Sequence, residues 1–173
     1  MKLYLTRHGQ TEENKAKILQ GHLPGSLSEL GKEQAKKIAL RLKDVHFDAI
    51  YASDLTRSLN TAREIAQFHP HTPFHIDERL RERFFGIFQG QPWGTVDFSQ
   101  DYQDVESWDQ MFTRSRKFLN EILHTHREGT ILAVGHGGIN KALTAVILQR
   151  EKNHVEHQSN AGLSIFELTE GQH

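Results

Sequence analysis

Four short stretches of this chain carry side chains suited to holding and attacking an anion: Arg7-His8-Gly9, Arg57, Glu82 and His136-Gly137-Gly138. Guanidinium forks match phosphate oxygens bidentately. Glycines at 9, 137 and 138 let backbone approach a ligand with no Cβ between. A helix opening at Gly137 turns its free N–H groups and positive dipole end on the same charge. Together these residue types describe a pocket for a phosphoryl group. A histidine set between two arginines stays unprotonated, because neighbouring cations disfavour the imidazolium form. Such an imidazole can attack phosphorus and form a phosphohistidine, dividing phosphoryl transfer into two steps. The arginines and the second histidine would stabilise charge on the equatorial oxygens of the transition state. A leaving alkoxide needs a proton, which a carboxylic acid can supply. Glu82, in LRERFFG, is the candidate, and spacing leaves Asp77 and Glu78 as rivals. The sequence holds no cysteine to serve as nucleophile and no GxxxxGK[ST] loop of the Walker type.

These residues act together only if the fold gathers them. KLYLT (2–6) reads as a buried strand running into Arg7-His8. DAIYAS (48–53) reads as a second, followed by a helix over 54–68 with Ser53 or Asp54 as cap and Arg57 in its first turn. TILAVG (130–135) is the clearest buried strand and leads through His136 into a helix over 137–149. Elsewhere, helical spacing predicts a helix over 28–45 opening at Ser28, and another over 107–127 carrying Trp108, Phe112, Ser115, Leu119 and Ile122 on one stripe. FHI (74–76) and AGLSIFEL (161–168) read as strands, and LRERFFGIFQGQPWGTV (80–96) as an irregular loop. Strands alternating with helices predict an α/β fold, a three-layer α/β/α sandwich around a mostly parallel sheet. Ligands in such folds sit beyond the carboxyl ends of the strands, where Arg7, His8, Arg57 and His136 would converge.

With 173 residues and neither repeat nor linker, the chain is expected to form one domain over 1–173, with a short cap segment at about 83–107. Basic and acidic residues nearly cancel, 21 against 22, so no general field favours nucleic acid or an anionic membrane. Disulfides and thiolate metal sites are excluded, and the absence of cysteine suits a reducing compartment. Residues 1 to 10 show no signal peptide and no apolar run is long enough to span a bilayer, so a cytoplasmic location is expected. The histidines of HPHTPFH (69–75), HTH (124–126) and HVEH (154–157) lie on separate polar segments without an H-E-x-x-H helix. They read as surface residues, so no metal and no cofactor are expected. No exposed apolar stripe can be told apart in the sequence, and the oligomeric state stays open.

The same stretches resemble the histidine phosphatase superfamily, which includes the cofactor-dependent phosphoglycerate mutases and the broad-specificity phosphatases related to them. RHGQTEEN (7–14) matches the family's R-H-G-x-T-x-x-N and continues through LQG (19–21) and LSELGKEQA (27–35). SDLTRSLNTA (53–62), LRERFFGIFQG (80–90) and VGHGG (134–138) follow in the family's order, so the resemblance spans most of the chain. It implies His8 as the phosphorylated nucleophile, and Glu82 as the proton donor that later serves as base on the attacking water. It also implies that Arg7, Arg57 and His136 bind the phosphoryl group with help from Asn14 and the Gly137 amide, that Gln20 and Gly21 touch substrate, and that no metal is needed. Two places depart from the family pattern: Phe88-Gln89, often tryptophan and glutamate, and His22 to Ser26. Both are expected to affect substrate fit.

Mutase and phosphatase share the phosphohistidine and differ in whether a second alcohol or water receives the phosphoryl group. The resemblance attaches a long, basic insertion to the mutases. Here Glu82 and His136 lie only 54 positions apart, and residues 91–107 hold four acidic residues and no lysine or arginine. A carboxylated ester is therefore expected to be repelled, and a phosphatase for small phosphomonoesters is the reading, ahead of a mutase or a non-catalytic phosphoester-binding module. Trp93, Phe98, Tyr102 and Trp108 offer apolar surface to a leaving group. For Trp108, on the helical stripe, core packing is the expectation.

Overall fold

The computed structural model describes residues 1–97, 100 and 102–169. Five strands form one sheet in the order β3-β2-β4-β1-β5: β1 (Lys2–Arg7), β2 (Ala49–Ala52), β3 (Phe74–Ile76), β4 (Thr130–Gly135) and β5 (Leu163–Glu167). Four are parallel, and β5 closes one edge antiparallel to β1. The mostly parallel sheet is thus as expected, the antiparallel strand being the last.

Both sheet faces are covered, which is why the central strands carry unbroken apolar runs rather than alternation. Along β4, Ile131 and Ala133 point to one face and pack with α4 (Trp108–Thr125) and α5 (Gly137–Leu148). Leu132 and Val134 point to the other and pack with α2 (Glu29–Leu42) and α3 (Thr56–Ala66). This is the period of two in a strand, serving two cores at once. The helices start where local chemistry allows. Ser28 accepts from the Gly31 amide, and Ser107 and Gln110 form a reciprocal capping box. A one-turn helix that periodicity is too short to reveal, α1 (Glu12–Lys15), is set by a second such box between Thr11 and Asn14.

At α3 the expected cap is wrong. Leu55 occupies the cap position without a side-chain bond, while the Ser53 hydroxyl, two residues earlier, accepts from the Leu55 amide. The segment over 80–96 is irregular as expected, with short 3-10 turns at Gly86–Phe88 and Trp93–Thr95. It is tied back to residues 17–19 by backbone bonds: Leu19 donates to Gln91, Gly90 to Leu19 and Trp93 to Lys17. Phe98 lies outside the described residues. Among the described residues no helix is long and apolar enough to cross a membrane.

Candidate active site

Parallel register aligns the carboxyl ends of three strands, with Arg7 opposite Gly135 and Ala52 opposite Val134. The backbone continues this alignment one residue further: the His8 amide donates to the Gly135 carbonyl and the Ser53 amide to the Val134 carbonyl, each at 3.1 Å. The His8 and His136 rings lie 5.0 Å apart, centroid to centroid. In front of them opens a cavity of about 600 Å³, lined by Arg7, His8, Asn14, Gln20, Gly21, Arg57 and Glu82 among others.

His8 is buried, and its Nδ1 lies 2.6 Å from the Gly9 carbonyl oxygen. A carbonyl only accepts, so Nδ1 carries the proton and Nε2 keeps its lone pair. Burial, then the cations of Arg57 and Arg7, hold the ring's pKa well below the usual histidine range. The ring is neutral, with one nitrogen free to attack. Its backbone is pinned by Gly9, whose amide donates to Thr61 Oγ1. Helix α2 presses on this turn so closely that a Cβ on Gly31 would strike the Gln10 carbonyl oxygen, and one on Gly9 the Gly31 oxygen.

Arg57 is 1 % exposed and spends two of its nitrogens on loop carbonyls, Nη2 on Gly21 (2.7 Å) and Nη1 on Leu23 (3.0 Å). Burial lowers its pKa to about 10, against the opposing pull of Glu82 and Glu13, so it remains a cation. Arg7 donates from Nη1 to the Gln158 carbonyl at 2.9 Å, and its pKa is likewise lowered by burial. His136 is wholly buried, with Nε2 2.9 Å from Ser53 Oγ, and burial holds it neutral, helped by Arg57. Arg7 Nε, Arg57 Nε and His136 Nδ1 are buried without a hydrogen-bond partner among the described residues. Such a buried group left unmade costs about 1–3 kcal/mol; Arg7 and Arg57 line the cavity, and the His136 ring lies behind them against that of His8.

Of the three carboxylates left open by spacing, only Glu82 lines the cavity. Asp77 is bound by Arg79, and Glu78 is exposed and paired with Arg81 at 3.3 Å. The Glu82 carboxylate rests on the first turn of α5, accepting from the Gly138 amide at 2.9 and 3.1 Å and from the Arg83 amide at 2.8 Å. Its backbone carbonyl accepts from His22 Nε2 (2.8 Å) and from Arg114 Nη2 (3.2 Å). The departure at His22 therefore lands on the acid's support rather than on open solvent.

Asn14 and Gln20 line the cavity, but much of their bonding is internal. Asn14 Oδ1 accepts from the Thr11 amide and from Asn160, while Gln20 Oε1 accepts from Thr11 Oγ1 and its Nε2 donates to Glu13. Gly21 adopts φ +52°, where a side chain is strained, and a Cβ there would also strike Gln89. Gly137 holds room for neighbours: a Cβ would strike the His157 ring and crowd Arg7.

Two residues, His157 and Trp108, meet their reading in the sequence and also reach the cavity. His157 is exposed, as expected of a surface histidine, and lines the cavity with its Nδ1 3.5 Å from Arg7 Nη1. Trp108 is half-buried and, besides touching the core, faces the cavity. The cavity also receives Arg83, Lys141 and Lys152, so the field at the site is not the acidic one that residues 91–107 suggested. Glu106 of that segment is spent on Arg114 at 2.6 Å. A pattern search could not find these residues, because Lys141 faces the site from the second turn of α5 and 152–157 returns from a loop with no regular period.

Comparison with known proteins agrees with this geometry. The family model described as histidine phosphatase superfamily (branch 1) matches residues 3–173. The phosphoglycerate mutase-like protein 4 of Arabidopsis thaliana is 31% identical over 98% of this chain and 80% of its own length. A metal-independent phosphoserine phosphatase of the same plant is 34% identical over 85% of this chain and 68% of its own length. Among solved structures, YhfR of Bacillus stearothermophilus superposes with a TM-score of 0.91 at 28% identity, covering 98% of this chain and 92% of that one. By sequence, fold and the order of its motifs, the chain belongs to the histidine phosphatase superfamily, whose phosphatases are enzymes that hydrolyse phosphoesters.

Proposed function

We propose that this single-domain protein hydrolyses small phosphomonoesters without a metal, through a phosphohistidine on His8. The observation that carries the proposal is the buried, neutral His8 whose Nδ1 proton is committed to the Gly9 carbonyl, leaving Nε2 as nucleophile between two guanidinium groups. In the first step Nε2 attacks phosphorus, an N–P bond forms and the ester P–O bond breaks. Glu82, protonated, gives its proton to the departing alkoxide. In the second, Glu82 as carboxylate takes a proton from water, the water oxygen bonds to phosphorus and the N–P bond breaks, releasing phosphate. Arg7 and Arg57 hold the phosphoryl oxygens throughout, and their unpartnered Nε groups, with His136 Nδ1, supply donors for them. Asn14 and Gln20 shape the entrance, as does Gly21, and the Gly137 amide at the start of α5 completes the anion site, the Gly138 amide being held by Glu82.

The donor set supports metal-free chemistry: five cationic side chains and a single carboxylate line the cavity. Among the described residues no three histidine or acidic side chains are grouped to hold a metal ion. The short cap segment, whose residues 91–107 carry no lysine or arginine, supports water rather than a second alcohol as acceptor. The lack of cysteine suits the cytoplasm, where we place the enzyme.

Phosphate release from a panel of phosphomonoesters in excess EDTA, wild type beside His8→Ala, tests this reading. Release that survives EDTA and disappears with His8 is expected. Isomerisation of a phosphoglycerate outrunning release would make the protein a mutase. Binding without turnover would make it a recognition module.

A further inference from the structure

The charges lining the cavity do not balance around one phosphoryl group. Arg7, Arg57, Arg83, Lys141 and Lys152 face Glu82 alone. With Glu82 protonated, as the first chemical step requires, a phosphoryl dianion offsets Arg7 and Arg57 and leaves Lys141 and Lys152 uncompensated. Lys141 and Lys152 make no ion pair among the described residues. Lys152 is instead held over the Trp108 ring, its ammonium 4.9 Å from the centroid, and the Arg83 guanidinium stands 5.4 Å from the same ring. An indole flanked by two cations orients them but does not neutralise them, and like charges gathered at a partly buried wall call for an anion between them.

We propose that Lys141 and Lys152, with Trp108 as their floor, form a second anion subsite that receives a carboxylate or a second phosphate on the substrate's leaving group. The inference rests on the phosphomonoester reading above and specifies its substrate class: doubly anionic esters, the two charges separated by a short polar or apolar spacer. It also reverses the expectation that a carboxylated ester meets repulsion, because the basic residues come from α5 and from the loop after it, not from the cap.

A matched three-carbon series tests it: glycerol 3-phosphate, 3-phosphoglycerate and glycerol 1,3-bisphosphate, which end in a hydroxymethyl, a carboxylate and a phosphate. Dissociation constants are measured calorimetrically on the full chain with His8→Ala, so that binding is read without turnover. The doubly anionic esters are expected to bind at least about tenfold more tightly than glycerol 3-phosphate, which is one charge pair's worth of discrimination. Lys141→Gln/Lys152→Gln is expected to erase that margin, Lys141→Arg/Lys152→Arg to keep it, and added salt to shrink it. A preference for the carboxylate alone or the phosphate alone would fix which anion the subsite takes and still support it. Equal binding of all three esters by the unmodified rim, or a margin that survives the double glutamine variant, would overturn the subsite. Turnover of the same series by the wild type is read separately: failure to release phosphate from any ester would remove the hydrolase reading while leaving the binding result to decide the subsite.

Discussion

A neutral imidazole is useful as a nucleophile only when one nitrogen is free and the other is held. At His8 the Gly9 carbonyl does the holding and burial beside Arg57 does the neutralising. Glu82 is treated differently, since it is gripped by the Arg83 amide and by an amide at the start of α5 and is set against the cavity rather than sealed from it. If Glu82 protonates the leaving group, its value depends on how badly that group needs a proton. Glu82→Gln is expected to slow hydrolysis of alkyl phosphates by about 10²–10³-fold, and of p-nitrophenyl phosphate by less than about tenfold. Comparing kcat on the two ester types checks this, and equal losses on both would remove Glu82 from the role. At this scale the sequence was readable where a residue's type and its place at or just after a strand end coincide, as at Arg7, His8, Arg57 and His136. It was silent at His157, Lys141 and Lys152, whose side chains reach the cavity from positions with no local pattern to distinguish them from a solvated face.

Between elements, the placement of Glu82 is the work of Arg114 on α4. Its guanidinium donates to the carbonyls of Arg79, Arg81 and Glu82 and pairs with Glu106, both side chains being mostly buried. One cation thus ties the short 3-10 turn at Glu78–Leu80 to the residues that follow it, Glu82 included. Arg114→Met leaves a carboxylate and several carbonyls unpaired, and is expected to cost about 2–4 kcal/mol in urea denaturation. Adding Glu106→Gln to it should cost much less than the sum of the two single changes. Additive losses would show that the two groups do not act as a unit. The strand at 130–135 was legible from its apolar run, because a strand buried on both faces leaves that mark. The start of α3 was not. Ser53 is a good capping residue by type, yet its hydroxyl is drawn to His136 and the Leu55 amide, a tertiary demand that overrides the local preference.

For the molecule as a whole, two fully buried neutral histidines make stability depend on pH. Histidine in the unfolded chain titrates near 6.5, while His8 and His136 stay unprotonated well below it in the fold. As pH falls through about 6.5 the unfolded chain binds protons that the native chain refuses. Stability is therefore full above that pH and declines below it, by at most about 1.4 kcal/mol per pH unit for each such histidine. Urea midpoints between neutral and mildly acidic pH should fall accordingly, and the decline should flatten in His8→Gln/His136→Gln; an unchanged slope would mean that neither ring is held neutral. The sandwich itself, with three strand ends brought to one edge, followed from the alternation of elements. Its antiparallel last strand did not, since the direction of an edge strand is set by the path of the preceding loop.

The central claim is a covalent intermediate on His8, and rapid mixing with an activated aryl phosphate tests it most directly. A burst of aryl alcohol stoichiometric with enzyme is predicted, together with an alkali-stable, acid-labile phosphoryl group located by mass spectrometry on the peptide containing His8. Hydrolysis at full rate with no burst, or with no phosphoryl group on that peptide when turnover is quenched in alkali, would contradict the account.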